Sequence, residues 1–219
     1  MSTTYIADQQ RIFTIPQENI TLQTLIDLFT IREERYRRCS NLGMVIHQLN
    51  FDFYRELLPK IAQWASDHEH RSHPIEPLRA GTTARVTYTA AQARYILANA
   101  FFLNTVNGYG TIDLAILYNS LFDDMAMERI RCLIEYFRRS AELNGSDDHR
   151  EISIERYSYA GEQPDWAKQT ISIHACAVNI FVERMEDAKE AQGFVDFANK
   201  QIHIQMIFPT ATQEEILCQ

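Results

Sequence analysis

The hydrophobic period of the chain changes once, at the turn cluster of residues 144–148, and this change constrains the fold more than any other feature. Before the cluster, residues 130–137 carry apolar side chains at i, i+3, i+4 and i+7, which is the stripe of an amphipathic helix. After it, residues 152–154 alternate apolar and polar side chains, as a half-buried strand does. The chain therefore combines a helical part with a later strand-rich part.

Local signals locate the helices of the first part. Thr89 and Gln92 form a T-x-x-Q capping box, Thr21 is a suitable N-cap, and Pro59 predicts a kink or break. Helices are predicted at residues 22–29, 51–64 and 90–103 and around residues 130–137.

The second part predicts strands and a boundary. Ile171 and Ile173 alternate with polar residues, and residues 178–182 and 194–197 are typical of buried strands. We expect an all-helical domain at 1–145, followed by the strand-rich segment 146–219. The predicted fold class is α+β.

Charge and cysteine usage exclude several classes of protein. The net charge of −8 argues against generic binding of duplex DNA, which depends on neutralising phosphates. The four cysteines form no C-x-x-C pair, so we expect free thiols in a reducing compartment. We expect no signal peptide and no membrane span, since the longest apolar run, 95–103, is short and contains Asn99. An intracellular protein is predicted.

Two clusters contain residue types that can bind metals or act as nucleophiles, but we interpret neither as a metal site or a catalytic site. Residues 67–73 contain three histidines and two carboxylates, but the stretch is polar and ends at Pro74, so we interpret it as a solvated loop without a metal. His174 and Cys176 share one face of a predicted strand, where we expect them to pack. No cofactor is predicted.

The strongest local signal for catalysis is the carboxylate pair Glu214-Glu215. Adjacent carboxylates repel each other, and burial raises the pKa of one of them, so that it can protonate a leaving oxygen. That protonation is the general-acid step of glycoside cleavage. Taken alone, such a pair near a C-terminus is usually the solvated start of a helix.

Several motifs, in order, resemble the poly(ADP-ribose) glycohydrolase family. The segment 194–200 reads F-V-D-F-A-N-K and is followed at 213–215 by Q-E-E, with the family's spacing of 13 from Lys200 to Gln213. Residues 53–59 resemble its F-x-x-x-L-L-P helix, and 89–102 its S-x-x-Q…L-A-N-A-F-F helix. The pairs Tyr136-Phe137 and Asp165-Trp166 also stand where the family has them.

The resemblance implies an enzyme with a helical accessory domain at 1–145 and, at 146–219, the first part of an α/β macrodomain-like mixed sheet. Its implied activity is hydrolysis of ribose–ribose O-glycosidic bonds in poly(ADP-ribose), with release of ADP-ribose and no cofactor. The implied partners are poly(ADP-ribose), ADP-ribose and poly(ADP-ribosyl)ated proteins. The implied setting is the DNA damage response, in the nucleus or cytoplasm.

The resemblance also assigns roles to residues. Glu215 would be the catalytic acid, and Glu214 would hold a ribose hydroxyl. The remaining substrate-binding positions are Glu186 for adenine, Asn199 for ribose hydroxyls, and Asp196, Phe197 and Gln213. Because the substrate is a polyanion, an acidic chain has to recognise it locally, and Arg138, Arg139 and the basic run 32–38 are candidate anchors. By itself the run 32–38, which also contains Glu33 and Glu34, is more typical of a solvated helix face than of an anion-binding patch.

The chain departs from the family in its phosphate loop. His203, Ile204 and Gln205 stand where the family has three glycines, whose backbone N–H groups approach the diphosphate with no Cβ in the way. The chain also ends four residues after Glu215, so we expect an incomplete catalytic domain. A truncated gene model or splice form, a diverged paralogue and a chain completed by a partner all fit. The alternative is therefore that the chain is a catalytically impaired paralogue or fragment, whose function is to bind ADP-ribose or to act as a helical interaction protein.

Overall fold

The computed structural model resolves the chain into two compact units, Met1–Ser158 and Tyr159–Gln219. The structure describes residues 6–8, 10–30, 38–71, 81–105, 114–119, 123–158, 165–168, 170 and 187. The first unit therefore carries nearly all of the described structure. In the second unit the described part includes a 3₁₀ turn, Trp166–Lys168, which begins at the second residue of the Asp165-Trp166 pair.

The first unit is built mainly of helices, as predicted. The described α-helices are α1 (Leu22–Asp27), α2 (Ser40–His47), α3 (Leu58–Ala65), α4 (Ala90–Phe101), α5 (Ala115–Tyr118) and α6 (Asp123–Leu143). The short helices α2 and α5 were not anticipated from the sequence.

Side chains cap the predicted helices as their sequences indicate. The Thr89 hydroxyl accepts a hydrogen bond from the Gln92 backbone N–H at 3.2 Å, and the Gln92 side chain accepts one from the Thr89 N–H at 2.8 Å. Thr21 and Thr24 make the same reciprocal pair at the start of α1. Each cap satisfies backbone donors that have no partner inside the helix.

The kink or break predicted at Pro59 falls at a change of helix type within the predicted helix 51–64. A π-helical turn, Phe53–Leu57, precedes α3, and Pro59 lies in the first turn of α3, where the missing N–H is not needed. Phe53, Leu57 and Leu58 are all buried. The motif at 53–59 that resembles the family therefore contains a change of helix type, and its apolar side chains lie in the core.

A two-stranded antiparallel sheet accompanies the helices, which confirms the α+β class. β1 (Ala84–Thr89) pairs with β2 (Glu151–Arg156), with Val86 opposite Ile154. The sequence predicted β2 as a strand but not β1, and it placed β2 beyond the boundary at 145. The pairing instead keeps β2 in the first unit, which extends to Ser158 and is not purely helical.

The core of the first unit is aromatic and is centred on Phe101, at the end of α4. Phe101 is fully buried and makes edge contacts with Phe29, Phe102, Tyr118 and Phe137, with ring centroids 5.4–6.4 Å apart. Such edge-to-face pairs add to the free energy gained from burying apolar area. The core thereby joins α4 to α5, α6 and the segment after α1.

A buried amide network ties α4 to its neighbours. The Asn99 side chain donates to the backbone carbonyls of Ala65 and Tyr95, both at 3.0 Å, and accepts from Asn104 at 2.7 Å. Asn104 in turn donates to the Asp8 carbonyl at 2.8 Å. The asparagine of the L-A-N-A-F-F motif thus has a structural role.

Gly43 of α2 lies against the Leu22 side chain of α1. A Cβ on Gly43 would lie 2.7 Å from Cδ2 of Leu22, inside contact distance. A larger residue at this position would require the Leu22 side chain to move.

Candidate functional site

The residues predicted for catalysis and substrate binding lie outside the described residues, and so does the degenerate phosphate loop. These are Glu186, Asp196, Phe197, Asn199, His203, Ile204, Gln205, Gln213, Glu214 and Glu215. The predicted strands at 171–173, 178–182 and 194–197 and the His174-Cys176 pair lie outside them as well.

A polar cavity of about 190 Å³ lies beside Arg94, between α3, α4 and the end of α6. α3 contributes Lys60, Gln63 and Trp64 to its wall, and the turn after α6 contributes Asn144. The lining residues extend from Lys60 to Asp148 along the chain, so the cavity is a product of tertiary packing.

Arg94 is the most deeply buried charge at this cavity. Its side chain is 4% exposed, and its guanidinium lies 2.6 Å from a carboxylate oxygen of Asp148 and 3.4 Å from one of Asp147. The guanidinium carbon also lies 5.1 Å from the centre of the Trp64 ring. Two carboxylates and a cation–π contact therefore compensate a charge that would otherwise be costly to bury.

The turn after α6 is shaped to bring Asp148 to Arg94. Asn144 and Gly145 both have left-handed backbone conformations, with φ of 46° and 81°. A Cβ on Gly145 would lie 3.0 Å from a carboxylate oxygen of Asp148. Glycine here relieves both the backbone strain and the contact with Asp148.

The histidine-rich stretch forms a 3₁₀ turn, His68–Arg71, in its described part. The interpretation as a solvated loop is wrong for His68, because both of its ring nitrogens are buried without a hydrogen-bond partner among the described residues. His70 lies 3.6 Å from Asp67. Within the described ranges, no group of three or more ligand-type side chains is placed to hold a metal ion.

A second, open groove is mainly apolar and lies along α2. It measures about 630 Å³ and is lined by side chains such as Leu22, Met44, Phe51 and Tyr54. The Met44 side chain is unusually exposed for an apolar residue, at 47%. The π-helical turn forms one end of this groove.

The basic residues proposed as polyanion anchors on α6 are engaged in ion pairs. Arg138 and Arg139 both contact Glu135, at 2.7 Å, and Arg138 also contacts Glu142. A hydrogen bond from Arg138 is the largest cause that lowers the pKa of Glu135 to about 2, and a hydrogen bond from Arg139 is the second. Of the run 32–38, only Arg38 is described, and it is exposed, as expected of a solvated face.

The buried ionisable groups of the core are poor nucleophiles. Burial raises the pKa of the Cys39 thiol to about 11, although a hydrogen bond with Asn119 acts in the opposite direction. Burial likewise raises the pKa of Tyr118, whose hydroxyl donates to the Phe101 carbonyl at 3.0 Å. A thiol with a raised pKa is protonated near neutrality and therefore unreactive.

The cluster of Arg94, Asp147 and Asp148 was not identified from the sequence. The sequence does show an arginine inside an apolar helix and two aspartates in a turn. However, no local pattern predicts that residues more than 50 positions apart form an ion pair. Such a pairing becomes evident only once α4 and the end of α6 are packed together.

No helix in the part of the chain that the structure describes is long and apolar enough to cross a membrane. Compared with curated proteins and with solved structures, the chain gives no significant match. Compared with protein families, residues 47–156 match the one described as poly(ADP-ribose) glycohydrolase (PARG), helical domain. The matched residues include α3, α4, α6 and both strands, and they make up half of the 219 residues. The chain therefore belongs to the poly(ADP-ribose) glycohydrolase family.

Proposed function

We propose that this chain hydrolyses the ribose–ribose O-glycosidic bonds of poly(ADP-ribose) and releases ADP-ribose. The observation that carries the proposal is the match of residues 47–156 to the helical domain of this glycohydrolase family. The carboxylate pair Glu214-Glu215 and the F-V-D-F-A-N-K segment at 194–200 support it independently, because they lie outside the matched range.

The packing of the first unit supports the family relationship at the level of single residues. Phe53, Leu57, Asn99, Phe101 and Phe137 belong to the motifs that resemble the family, and all five are buried. Asn99 completes the hydrogen bonds of the network at the end of α3. These five resembling positions thus lie in the core of the first unit.

The proposed chemistry is acid-assisted cleavage by Glu215. Its carboxyl group protonates the leaving ribose oxygen, and the anomeric carbon passes through an oxocarbenium-like state. The resulting carboxylate then takes a proton from the attacking water, which restores the acid. Glu214 orients the substrate through a ribose hydroxyl, and its negative charge favours the protonated form of Glu215.

The substrate would be held by the remaining assigned residues. Glu186 binds the adenine, Asn199 binds ribose hydroxyls beside the scissile bond, and Gln213 assists. Asp196 and Phe197 shape the site. We propose that these residues belong to a macrodomain-like domain within 146–219, reached by poly(ADP-ribose) or poly(ADP-ribosyl)ated proteins in the nucleus or cytoplasm.

A second function is favoured by the phosphate loop. By resemblance, His203, Ile204 and Gln205 stand at positions where the family's glycines let the backbone donate to a diphosphate, and side chains at these positions would crowd the phosphates. A chain with this loop would bind ADP-ribose weakly and turn substrate over slowly or not at all. The second proposal is therefore a family member that binds ADP-ribose, or acts through its helices, without hydrolysis.

The test of hydrolysis is release of ADP-ribose from poly(ADP-ribose), measured for the wild-type chain and for Glu215→Gln. Glu18→Gln serves as the matched control, because Glu18 is an exposed carboxylate of the first unit. The proposal predicts release by wild type and Glu18→Gln and a large loss in Glu215→Gln. Equal release by all three chains would reject the role of Glu215.

Calorimetry with ADP-ribose separates the two functions when hydrolysis is absent. Saturable heat that is lost in Glu186→Ala and Asn199→Ala would support binding without turnover. The absence of any binding heat at high ligand concentration would leave only a helical interaction protein.

A further inference from the structure

The turn after α6 contains the pair Asn144-Gly145, and the side-chain amide of the first residue and the backbone nitrogen of the second are both open to reaction. The Asn144 side chain is exposed, and it has no hydrogen-bond partner among the described residues. Within the same ranges, the Gly145 backbone N–H has no partner either. Both residues line the cavity beside Arg94, so no side chain fills the space next to them.

An asparagine side chain and the backbone nitrogen that follows it can close a ring. The Gly145 nitrogen, once it has lost its proton to hydroxide, bonds to Cγ of Asn144, and Nδ2 leaves as ammonia. Water then opens the cyclic imide. Cleavage of the bond between Cγ and the Gly145 nitrogen gives aspartate, whereas cleavage at the main-chain carbonyl carbon gives isoaspartate. Glycine favours ring closure because no Cβ crowds the attacking nitrogen.

Asn19 provides a comparison within the same chain. It is exposed and has a left-handed backbone conformation with φ of 55°, close to the 46° of Asn144. Its next residue is Ile20, whose β-branched side chain restricts the backbone and crowds the attacking nitrogen. The two asparagines therefore differ mainly in the residue that follows. We propose that Asn144 is a modification site, at which the chain itself converts the amide to aspartate and isoaspartate with water as the co-reactant.

The turn that is modified supports the start of α4. The carbonyls of Asp148 and Arg150 accept hydrogen bonds from the first two N–H groups of α4, at 3.2 Å and 2.8 Å, and Asp148 also contacts Arg94. Isoaspartate adds a methylene to the backbone, which alters the left-handed turn. Either product places a new negative charge at the C-terminal end of α6, where the helix dipole disfavours it, and near Asp147. Modification of Asn144 should therefore destabilise the first unit.

The test incubates the purified full-length chain at mildly alkaline pH and analyses its tryptic peptides by mass spectrometry. Asn144 lies in the peptide 140–150 and Asn19 in the peptide 12–32. A second Asn-Gly pair, Asn107-Gly108, lies outside the described residues and in a separate peptide, 95–129, so its products are not mistaken for those of Asn144. Asn144→Gln is the matched variant, because it keeps the amide but has to close a larger ring.

We expect the peptide 140–150 to convert at least about tenfold faster than 12–32, a difference of about 1.4 kcal/mol in activation free energy. Both aspartate and isoaspartate should form, and faster as the pH rises, because the attacking nitrogen has to lose its proton. Urea unfolding should show a larger loss of stability in the incubated wild-type chain than in incubated Asn144→Gln. Conversion of 140–150 no faster than that of 12–32 would overturn the modification site. Equal losses of stability in the two incubated chains would overturn its effect on the fold.

Discussion

The Arg94 guanidinium lies 2.6 Å from the carboxylate of Asp148 and thereby joins the middle of α4 to the turn that follows α6. The arginine side chain is 4% exposed, whereas that of Asp148 is 32% exposed, so the pair is buried on one side only. The desolvation of Arg94 has to be offset by its carboxylates, and the free energy lost on removing one of them is correspondingly large.

The first prediction is that Asp148→Asn lowers the free energy of unfolding by about 2 kcal/mol, because Arg94 keeps only the longer contact to Asp147. The double variant Arg94→Met/Asp148→Asn should be at least as stable as Asp148→Asn, since the uncompensated charge is then removed. Urea unfolding of the three chains, with Glu18→Gln as an exposed control, measures both effects. A loss in Asp148→Asn no larger than in the control would show that the pair is energetically neutral.

The second prediction concerns the amide of Asn99. Asn99→Ala removes two donors to backbone carbonyls and the acceptor of Asn104, which leaves buried polar groups unpaired. We expect a loss of about 3 kcal/mol in the free energy of unfolding. Asn50→Ala, at an exposed position, should change it little. Equal unfolding midpoints for the two variants would contradict a structural role for Asn99.

The third prediction is a pH dependence. Hydrogen bonds from Arg138 and Arg139 hold the pKa of Glu135 at about 2, below its ordinary 4.5. Because the folded-state pKa is depressed, these pairs stabilise the fold above about pH 4.5, and that contribution is lost as the pH falls toward 2. Titration of the Glu135 carboxyl by NMR should show the low pKa, and Arg138→Gln should raise it.

The control for this titration is Arg55→Gln. Arg55 is exposed and lies 3.6 Å from Asp52, so its replacement should leave the pKa of Glu135 unchanged. High salt should also raise the pKa of Glu135, because exposed pairs are screened. A wild-type Glu135 that titrates near pH 4.5 would show that the ion pairs are not populated in solution.

Local sequence signals predicted the elements that local physics determines. The capping box of Thr89 and Gln92 and the apolar stripe of α6 each involve residues a few positions apart, and each is present in the structure. At Pro59 the helix changes type, from a π-helical turn to α3. β1 was missed although Val86 and Tyr88 alternate with polar residues. Its partner strand lies more than 60 residues away, and six residues of alternation do not reveal which strand completes a sheet.

The same limit applies to the sites. The cavity beside Arg94 needs α3, α4 and the turn after α6 together, so no window of sequence contains it. The catalytic assignment of Glu214 and Glu215, in contrast, comes from the sequence alone, because it rests on a short motif and its spacing. That assignment remains a prediction, since both residues lie outside the described part of the chain.

The fourth prediction follows from the phosphate loop. Replacing His203, Ile204 and Gln205 together by glycine should strengthen ADP-ribose binding about tenfold, because backbone N–H groups could then approach the diphosphate. Replacing all three by alanine is the control, since alanine removes the bulk but keeps a Cβ; a smaller gain is expected. Equal affinities of the glycine variant and the wild-type chain, measured by calorimetry, would show that this loop does not contact phosphate.

The most direct measurement is the rate of ADP-ribose release from poly(ADP-ribose) by the wild-type chain beside Glu215→Gln at equal concentration. General-acid catalysis contributes roughly 10²–10⁴-fold, so the wild-type rate should exceed that of the variant at least about 100-fold. Glu18→Gln should match the wild type. A wild-type rate no higher than that of Glu215→Gln would contradict hydrolysis by this chain.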